Sequence, residues 1–241
     1  MRIIGLLGGM SWESSVEYYR IVNEQVRERL GGLHSAHCVL YSVDFAEIER
    51  LQVSGQWDEA GKRLLAAATA LQEAGAEVLV LCTNTMHKVV DVLIEGLDIP
   101  VLHLADTTAD AVRAAGLDRV GLLGTAFTME QDFYAGRLAE HGLDVLVPET
   151  GERADVHRII YEELVVGIVT EPSRQRYREV IDALVARGAQ GVILGCTEIE
   201  LLVGPADSPV PVFPTTRLHA VAAVDHALSG FSPDAGTAQS T

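Results

Sequence analysis

The chain reads as two copies of one unit. Gly5-Leu6-Leu7-Gly8 returns 116 positions later as Gly121-Leu122-Leu123-Gly124. Gly75-Ala76-Glu77 returns as Gly188-Ala189-Gln190 at an offset of 113, and Ile99-Pro100-Val101 as Val210-Pro211-Val212 at 111. Between them, Val80-Leu81-Cys82-Thr83-Asn84-Thr85 is answered by Leu194-Gly195-Cys196-Thr197-Glu198, with the cysteines 114 apart. One such match could be chance, because Gly and Leu are common. Four in the same order, at nearly the same spacing, point to a duplicated unit, and a missed repeat misassigns a whole fold.

Between these landmarks the chain alternates strand and helix patterns. Residues 3–7 form an apolar run of strand length. Ser11 or Ser14 can open a long helix with Tyr18, Tyr19, Val22 and Val26 on its inner side, and Gly31-Gly32 ends it. Strands are expected over 38–43, 77–81 and 101–104, helices over 55–73 and from about Asn84, and Asp106 is placed to cap the next helix. The second half carries strand patterns at 119–123, 144–147, 192–194 and 210–213. Its helices fall around 155–165, 173–186 and 217–228, and Thr128-Met129-Glu130-Gln131 reads as a capping box. The alternation predicts an α/β fold of two pseudo-symmetric lobes, each a parallel-type sheet flanked by helices, with the active site in the cleft between them. The first lobe is expected over 1–103 plus 210–230, because the Val210-Pro211-Val212 echo falls so late that the last strand and helix should return to it. The second lobe is expected over 104–209, and a small, polar, disordered tail over 231–241.

Composition narrows the class. With 241 residues, 48% of them apolar, the chain can bury a full core. Acidic residues outnumber basic ones 34 to 18, and a formal charge of −16 repels phosphate backbones, so no nucleic acid partner is expected. No apolar run approaches the roughly 18 residues that span a bilayer, so no membrane role is expected. Met1-Arg2-Ile3-Ile4-Gly5 enters a strand pattern at once, without a signal-peptide layout. Three cysteines with no CxxC pair argue against a disulfide framework, and a reducing cytoplasm is the simplest location.

Cys82 and Cys196 each follow an apolar strand pattern and precede a threonine. Parallel α/β sheets gather ligands at the C-terminal ends of their strands, where both cysteines should sit. A lone buried cysteine is usually a small apolar core residue, and Cys38, inside its strand, is read that way. The pair differs, because two thiols at equivalent points of two half-chains can approach one carbon from opposite faces. That arrangement suits removal and return of a proton with inversion. Each thiol is expected at a helix N-terminus, which lowers a thiol pKa. Gly5-Leu6-Leu7-Gly8-Gly9-Met10-Ser11 is a glycine-rich strand-to-helix turn without GK[ST] or GxGxxG, so it is neither a P-loop nor a dinucleotide fingerprint. Its amides could hold a carboxylate, or the glycines could simply serve a tight turn. His34, His37 and Cys38 have a suggestive spacing, but they run from loop into strand and share no helix face, so no metal is expected.

Gly5-Leu6-Leu7-Gly8-Gly9-Met10-Ser11, Leu81-Cys82-Thr83-Asn84-Thr85-Met86-His87 and Gly195-Cys196-Thr197-Glu198 together resemble the aspartate/glutamate racemase superfamily, in its aspartate-racemase branch. The resemblance runs from Ile3 to about Leu228. Glutamate racemases usually carry an Asp-Ser turn where this chain has Gly9-Met10-Ser11, and His where it has Glu198. Gly8-Gly9-Met10-Ser11-Trp12-Glu13 and Ser42-Val43-Asp44-Phe45 are most similar to bacterial broad-specificity amino-acid racemases. The resemblance implies a racemase without pyridoxal phosphate or metal, an amino-acid substrate, and commonly a homodimer. It implies Cys82 and Cys196 as acid and base, with Met10 and Gln52 in the pocket. Strict aspartate racemases are expected to carry a lysine after the pair that here is Tyr161-Glu162. This chain continues Glu163-Leu164-Val165, which cannot pair with an anion. Neutral amino acids are therefore expected as substrates at least as good as aspartate, with Arg50 a remaining candidate for a side-chain carboxylate.

An amino-acid Cα–H is a very weak acid. Without a cofactor to take up the electrons, the protein must stabilise an enediolate on the substrate carboxylate, which preorganised donors do best in a dry cleft. Thr83, Asn84 and Thr85 are the candidates from the first half, Thr125 and Thr128 from the second, and Thr197 lies beside the second cysteine. Glu198 either tunes Cys196, orients the substrate ammonium group, or caps a helix. Other readings stay open: a maleate-isomerase-like isomerase of an unsaturated diacid, an arylmalonate decarboxylase needing only one thiol, and a non-catalytic small-molecule binder with little need for two.

Overall fold

The computed structural model of the protein describes residues 1–231. Beyond Phe231, the expected tail lies outside the described residues. The first unit runs β1 (Ile4–Gly8), α1 (Trp12–Leu30), β2 (Cys38–Ser42), α2 (Phe45–Val53), α3 (Trp57–Glu73), β3 (Val78–Leu81), α4 (Val90–Gly96), β4 (Val101–Leu102) and α5 (Leu104–Ala114). The second runs β5 (Arg119–Gly124), α6 (Ala126–Glu130), α7 (Asp132–Glu140), β6 (Asp144–Leu146), α8 (Thr150–Glu162), α9 (Glu171–Ala186), β7 (Gly191–Gly195), α10 (Ile199–Leu202), β8 (Val212–Pro214) and α11 (Thr215–Leu228). The strands form two parallel four-stranded sheets, ordered β2-β1-β3-β4 and β6-β5-β7-β8. The central strands β1, β3 and β7 are buried at every residue, as parallel strands covered by helices on both faces must be.

The late echo needs correcting at the strand. β8 does not return to the first sheet; it pairs with β7 in the register Val192↔Val212, as β4 pairs with β3. The Ile99-Pro100-Val101 and Val210-Pro211-Val212 echo therefore marks the fourth strand of each unit's own sheet. The helices that follow those strands cross over. Leu104, Ala105, Ala109 and Val112 of α5 pack with Val120, Leu122 and Ile193 of the second sheet. Ala220, Ala223, Val224 and Ala227 of α11 pack with Ile4, Leu6, Val78 and Val80 of the first. This exchange holds the two lobes together.

Several local expectations shift by a turn. Ser11 caps α1, its hydroxyl accepting from the Ser14 amide at 3.3 Å, and Tyr18, Ile21, Val22, Gln25 and Val26 form the buried face. Tyr19 lies beside that stripe and is exposed. α2 is an additional helix, begun by Asp44, whose carboxylate accepts from the Ala46 amide. α5 is capped by His103 Nδ1; Asp106 instead pairs with Arg137 at 2.7 Å. Thr125, three residues ahead of the expected capping box, caps α6 by accepting from the Thr128 amide. Among the described residues, no helix is long and apolar enough to cross a membrane.

Candidate active site

The C-terminal ends of both sheets face one small cavity. It has a volume of about 30 Å³, room for a water or two. Met10, Gln52, Thr83, Asn84, Thr85, Thr125, Cys196, Thr197 and Glu198 all line it, so nine of the eleven residues singled out from sequence come together. Thr128 sits one layer back, fully buried, its hydroxyl 3.2 Å from that of Thr125. Cys82 does not reach the cavity. It is fully buried among Ile4, Leu6, Tyr18, Val80 and Ala220, and its Sγ donates to the Val80 carbonyl at 3.5 Å.

Strand register explains why. Leu7 pairs with Leu81 in the first sheet and Leu123 with Leu194 in the second. Since Gly5-Leu6-Leu7-Gly8 corresponds to Gly121-Leu122-Leu123-Gly124, Leu81 corresponds to Leu194, Cys82 to Gly195 and Thr83 to Cys196. Successive residues of an extended chain point to opposite sides, so a shift of one position changes the side a group serves. At Gly195 an added Cβ would lie 2.8 Å from the Leu123 carbonyl oxygen, which identifies this position as one aimed into packing. The sequence reading paired the wrong residues: the counterpart of Cys196 is Thr83. The offset of 113 between Gly75-Ala76 and Gly188-Ala189, just upstream of each site, was the signal for it.

Cys196 Sγ donates to Glu198 Oε2 at 2.9 Å. The other donors to Glu198 are the Thr197 hydroxyl on Oε2 at 2.7 Å, and the Ser11 and Ser14 hydroxyls on Oε1 at 2.6 and 2.8 Å. Ser11 already accepts from the Ser14 amide, so its single hydroxyl proton is left for Glu198. The Ser14 and Thr197 hydroxyls also touch each other, so one of their two protons is spent there, and the three donors that remain on the carboxyl group give the pattern of a carboxylate, which only accepts. Burial first, then the Glu198 charge, pushes the Cys196 thiol well above its ordinary range. The expected lowering at a helix N-terminus is thus overturned: α10 has only four residues, and desolvation dominates. Burial, followed by Cys38, raises Cys82 as well.

The remaining groups divide by chemistry. Asn84 Nδ2 donates to Thr215 Oγ1 at 3.1 Å, while Thr215 donates to the Leu194 carbonyl. Asn84 Oδ1 is left buried without a partner. The Thr85 and Thr125 hydroxyls meet across the two lobes at 3.1 Å. Phe45, Ile160, Tyr161 and Val165 complete the lining; sequence reading missed them as cavity residues, having no catalytic signature to follow. Val165 is an apolar residue near the position where strict aspartate racemases are expected to carry a lysine. Arg50 is exposed on α2, away from the cavity, so the charge considered for it is not available there. Among the described residues, no Lys, Arg or His lines the cavity. His87 lies beneath it: Nδ1 bonds the Thr83 carbonyl at 2.7 Å and Nε2 the Leu104 amide at 3.1 Å. A carbonyl only accepts and an amide only donates, so the ring carries its proton on Nδ1 and is neutral. Burial, then His103 and His219, lowers its pKa in agreement.

A family profile described as Asp/Glu/hydantoin racemase matches residues 7–223. A solved structure of a candidate Asp/Glu racemase from Yersinia pestis is 56% identical, with a TM-score of 0.89, covering 95% of this chain and 100% of that one. An aspartate racemase homologue from Pyrococcus horikoshii is 35% identical at a TM-score of 0.83, covering 94% and 99%. The broad-specificity amino-acid racemase RacX of Bacillus subtilis is 21% identical over 217 residues, 87% of this chain and 91% of its own length. The chain belongs to the Asp/Glu/hydantoin racemase family.

Proposed function

We propose that this chain is a cofactor-independent amino-acid racemase that favours neutral side chains and works with one thiol rather than two. The observation that carries the reading is the Cys196–Glu198 hydrogen bond beside a cavity whose equivalent position in the other lobe is Thr83. At rest the proton sits on sulfur. When substrate fills the cavity, the thiol passes that proton to Glu198 Oε2, and the thiolate removes the Cα proton from its own side. The electron pair moves into the substrate carboxylate as an enediolate. Thr85 and Thr125, whose hydroxyls already meet between the lobes, would turn toward it. The unpartnered Asn84 Oδ1 suits the substrate ammonium group. Thr83 faces the opposite side of Cα. Its hydroxyl gives its proton to the carbanion from that face and, left as an alkoxide, takes one back from water as product leaves; the opposite enantiomer runs the same transfers in reverse, with deprotonated Thr83 removing the Cα proton, so the two faces are chemically unequal but both are used.

Specificity follows from the lining. Phe45, Ile160 and Val165 offer apolar surface, and among the described residues of the lining Glu198 is the one formal charge and no cation awaits a second carboxylate. A diacid substrate is disfavoured on the same ground, which weakens the maleate-isomerase-like alternative. A cavity this small is a closed cleft, so the lobes must part to admit an amino acid. A homodimer and a reducing cytoplasm belong to the same reading; the three free cysteines support the second, and sedimentation tests the first. The deciding experiment is incubation with a panel of L-amino acids in deuterated water, read by chiral chromatography and mass. Neutral amino acids should acquire deuterium at Cα and yield D-enantiomer. Turnover confined to acidic amino acids would overturn the specificity, and no exchange with any of them would overturn the enzyme.

A further inference from the structure

Glu198 and Thr197 form a wall between two spaces. On one side is the substrate cavity. On the other is a surface groove of about 310 Å³, lined by Ser14, Thr197 and Glu198 within and by Trp12, Glu13, Val16, Glu17 and Leu201 without. The groove is large enough for several waters. Glu13 Oε2 is buried without a partner and belongs to this lining, so a water there has an acceptor. A continuous chain of polar atoms crosses the wall. It runs from Cys196 Sγ to Glu198 Oε2 at 2.9 Å and from Glu198 Oε2 to Thr197 Oγ1 at 2.7 Å, and the Thr197 hydroxyl is in direct contact with that of Ser14. Ser11 holds the other carboxylate oxygen from the helix cap and fixes the geometry.

We propose that this chain of hydroxyls is a proton path joining the catalytic thiol to water in the groove, so that protons exchange with solvent while the cleft stays closed. The proposal rests on the reading of Cys196 as the group that removes the Cα proton. Once the thiolate has taken the Cα proton, that proton lies on sulfur and Glu198 Oε2 still holds the thiol's original one. Thr197 Oγ1 accepts the proton on Oε2 and gives its own to Ser14 Oγ, and Ser14 gives its own to a groove water, forming hydronium; the Cα proton can then move from sulfur to the vacated Oε2 and follow the same path. Every O–H bond formed is matched by one broken, and the reverse sequence returns a solvent proton. Ser14 and Thr197 act through Glu198 and are positioning residues for the proton, not groups that touch substrate.

The test is the partition between solvent exchange and return of the original proton. Wild type is incubated in deuterated water with each enantiomer of a neutral amino acid that it turns over, and the faster-exchanging enantiomer, the one presenting its Cα–H to Cys196, is used throughout. Deuterium in the recovered substrate is divided by product formed. In the wild type this ratio should be high. Ser14→Ala should lower it severalfold, because the proton trapped on the Cys196–Glu198 pair returns to the same face, and Ser14→Thr should restore it. Val16→Trp fills the groove from an exposed position without touching the hydrogen bonds, and it should lower the ratio as well. An unchanged ratio in Ser14→Ala and Val16→Trp would overturn the path. A fall in Ser14→Ala that Val16→Trp fails to reproduce would overturn the groove as its exit. Absence of exchange by the wild type with any amino acid would instead overturn the racemase reading, so the two failures are distinguishable.

Discussion

Cys82→Ala and Cys196→Ala should behave as opposites, although both remove a buried thiol. Cys82 is fully enclosed by apolar neighbours, and its sulfur makes only a long contact to the Val80 carbonyl. Deleting that sulfur leaves a void smaller than a methylene pair, which costs on the order of 1 kcal/mol. For a chain of this size that lowers the melting temperature by about 2–4 °C. It should leave kcat/KM close to wild type. Cys196→Ala removes the group proposed to handle the Cα proton, and loss of a positioned acid–base group slows turnover by about 10²- to 10⁴-fold. That is about 3–5 kcal/mol of barrier. Its stability should change little or rise, because a thiol held beside a buried carboxylate is replaced by a methyl group. Thr83→Cys should raise turnover by supplying a second thiol at the position matching Cys196. Initial rates by chiral chromatography, with thermal melts on the same samples, read all three. If Cys82→Ala loses activity as severely as Cys196→Ala while melting within a few degrees of wild type, the register argument fails and Cys82 must turn into the cleft during catalysis.

Glu200 offers a test of the electrostatics. Burial is the main cause that raises its carboxyl from an ordinary 4.5 to about 7. The folded state therefore binds more protons than the unfolded one between those values. The stabilisation is complete below about pH 4.5 and is lost as pH rises through about 7, amounting to roughly 3 kcal/mol at most. Glu200→Gln should flatten denaturant midpoints across pH 5–8 and melt higher than wild type at pH 8; an unaltered pH profile would contradict this. Val165→Lys places a cation in the cavity lining. It should raise turnover of aspartate relative to alanine by about tenfold, the equivalent of 1.4 kcal/mol, as measured by kcat/KM ratios.

Much of this molecule was legible in its sequence because duplication doubles each signal. The glycine-flanked apolar strands appear twice, so two parallel sheets could be expected without any single strand being certain. Seven of the nine cavity residues were legible because polar side chains directly after buried strands have few places to go but the strand ends; Met10 and Gln52, the latter within α2, came only from the family resemblance. What misled was a matter of one residue. Cys-Thr occurs in both halves, and lining up the cysteines overrode the offset of 113 that the neighbouring Gly-Ala pairs already carried. Identity of residue is a weaker guide than register where side chains alternate. In sequence, Ser14 signals only a helix start, and Ser11 a helix start or an anion-binding turn. Their role in holding Glu198 depends on contacts across more than 180 positions, which no local pattern encodes. The apolar lining from α8 and the segment after it was illegible for the same reason.

The two lobes share a backbone plan and differ where it meets the substrate. Gly195 has no room for a side chain, while its counterpart Cys82 fills a pocket in the α1–α11 packing. Cys196 is backed by a carboxylate with two further donors, while its counterpart Thr83 has its carbonyl pinned by a neutral His87. Such asymmetry does not conflict with racemisation. Enantiomers have equal free energies in water, so the equilibrium constant is unity and kcat/KM must be equal in the two directions whatever groups line the faces. Unlike groups can differ only in how each step is partitioned: which enantiomer exchanges its Cα proton before inverting, and which form of the enzyme accumulates. The carboxylate-backed thiol should exchange its proton rapidly, and the hydroxyl face slowly. Of the two enantiomers, the one that presents its Cα–H to Cys196 should therefore acquire deuterium faster than it inverts, and its mirror image should invert with little prior exchange.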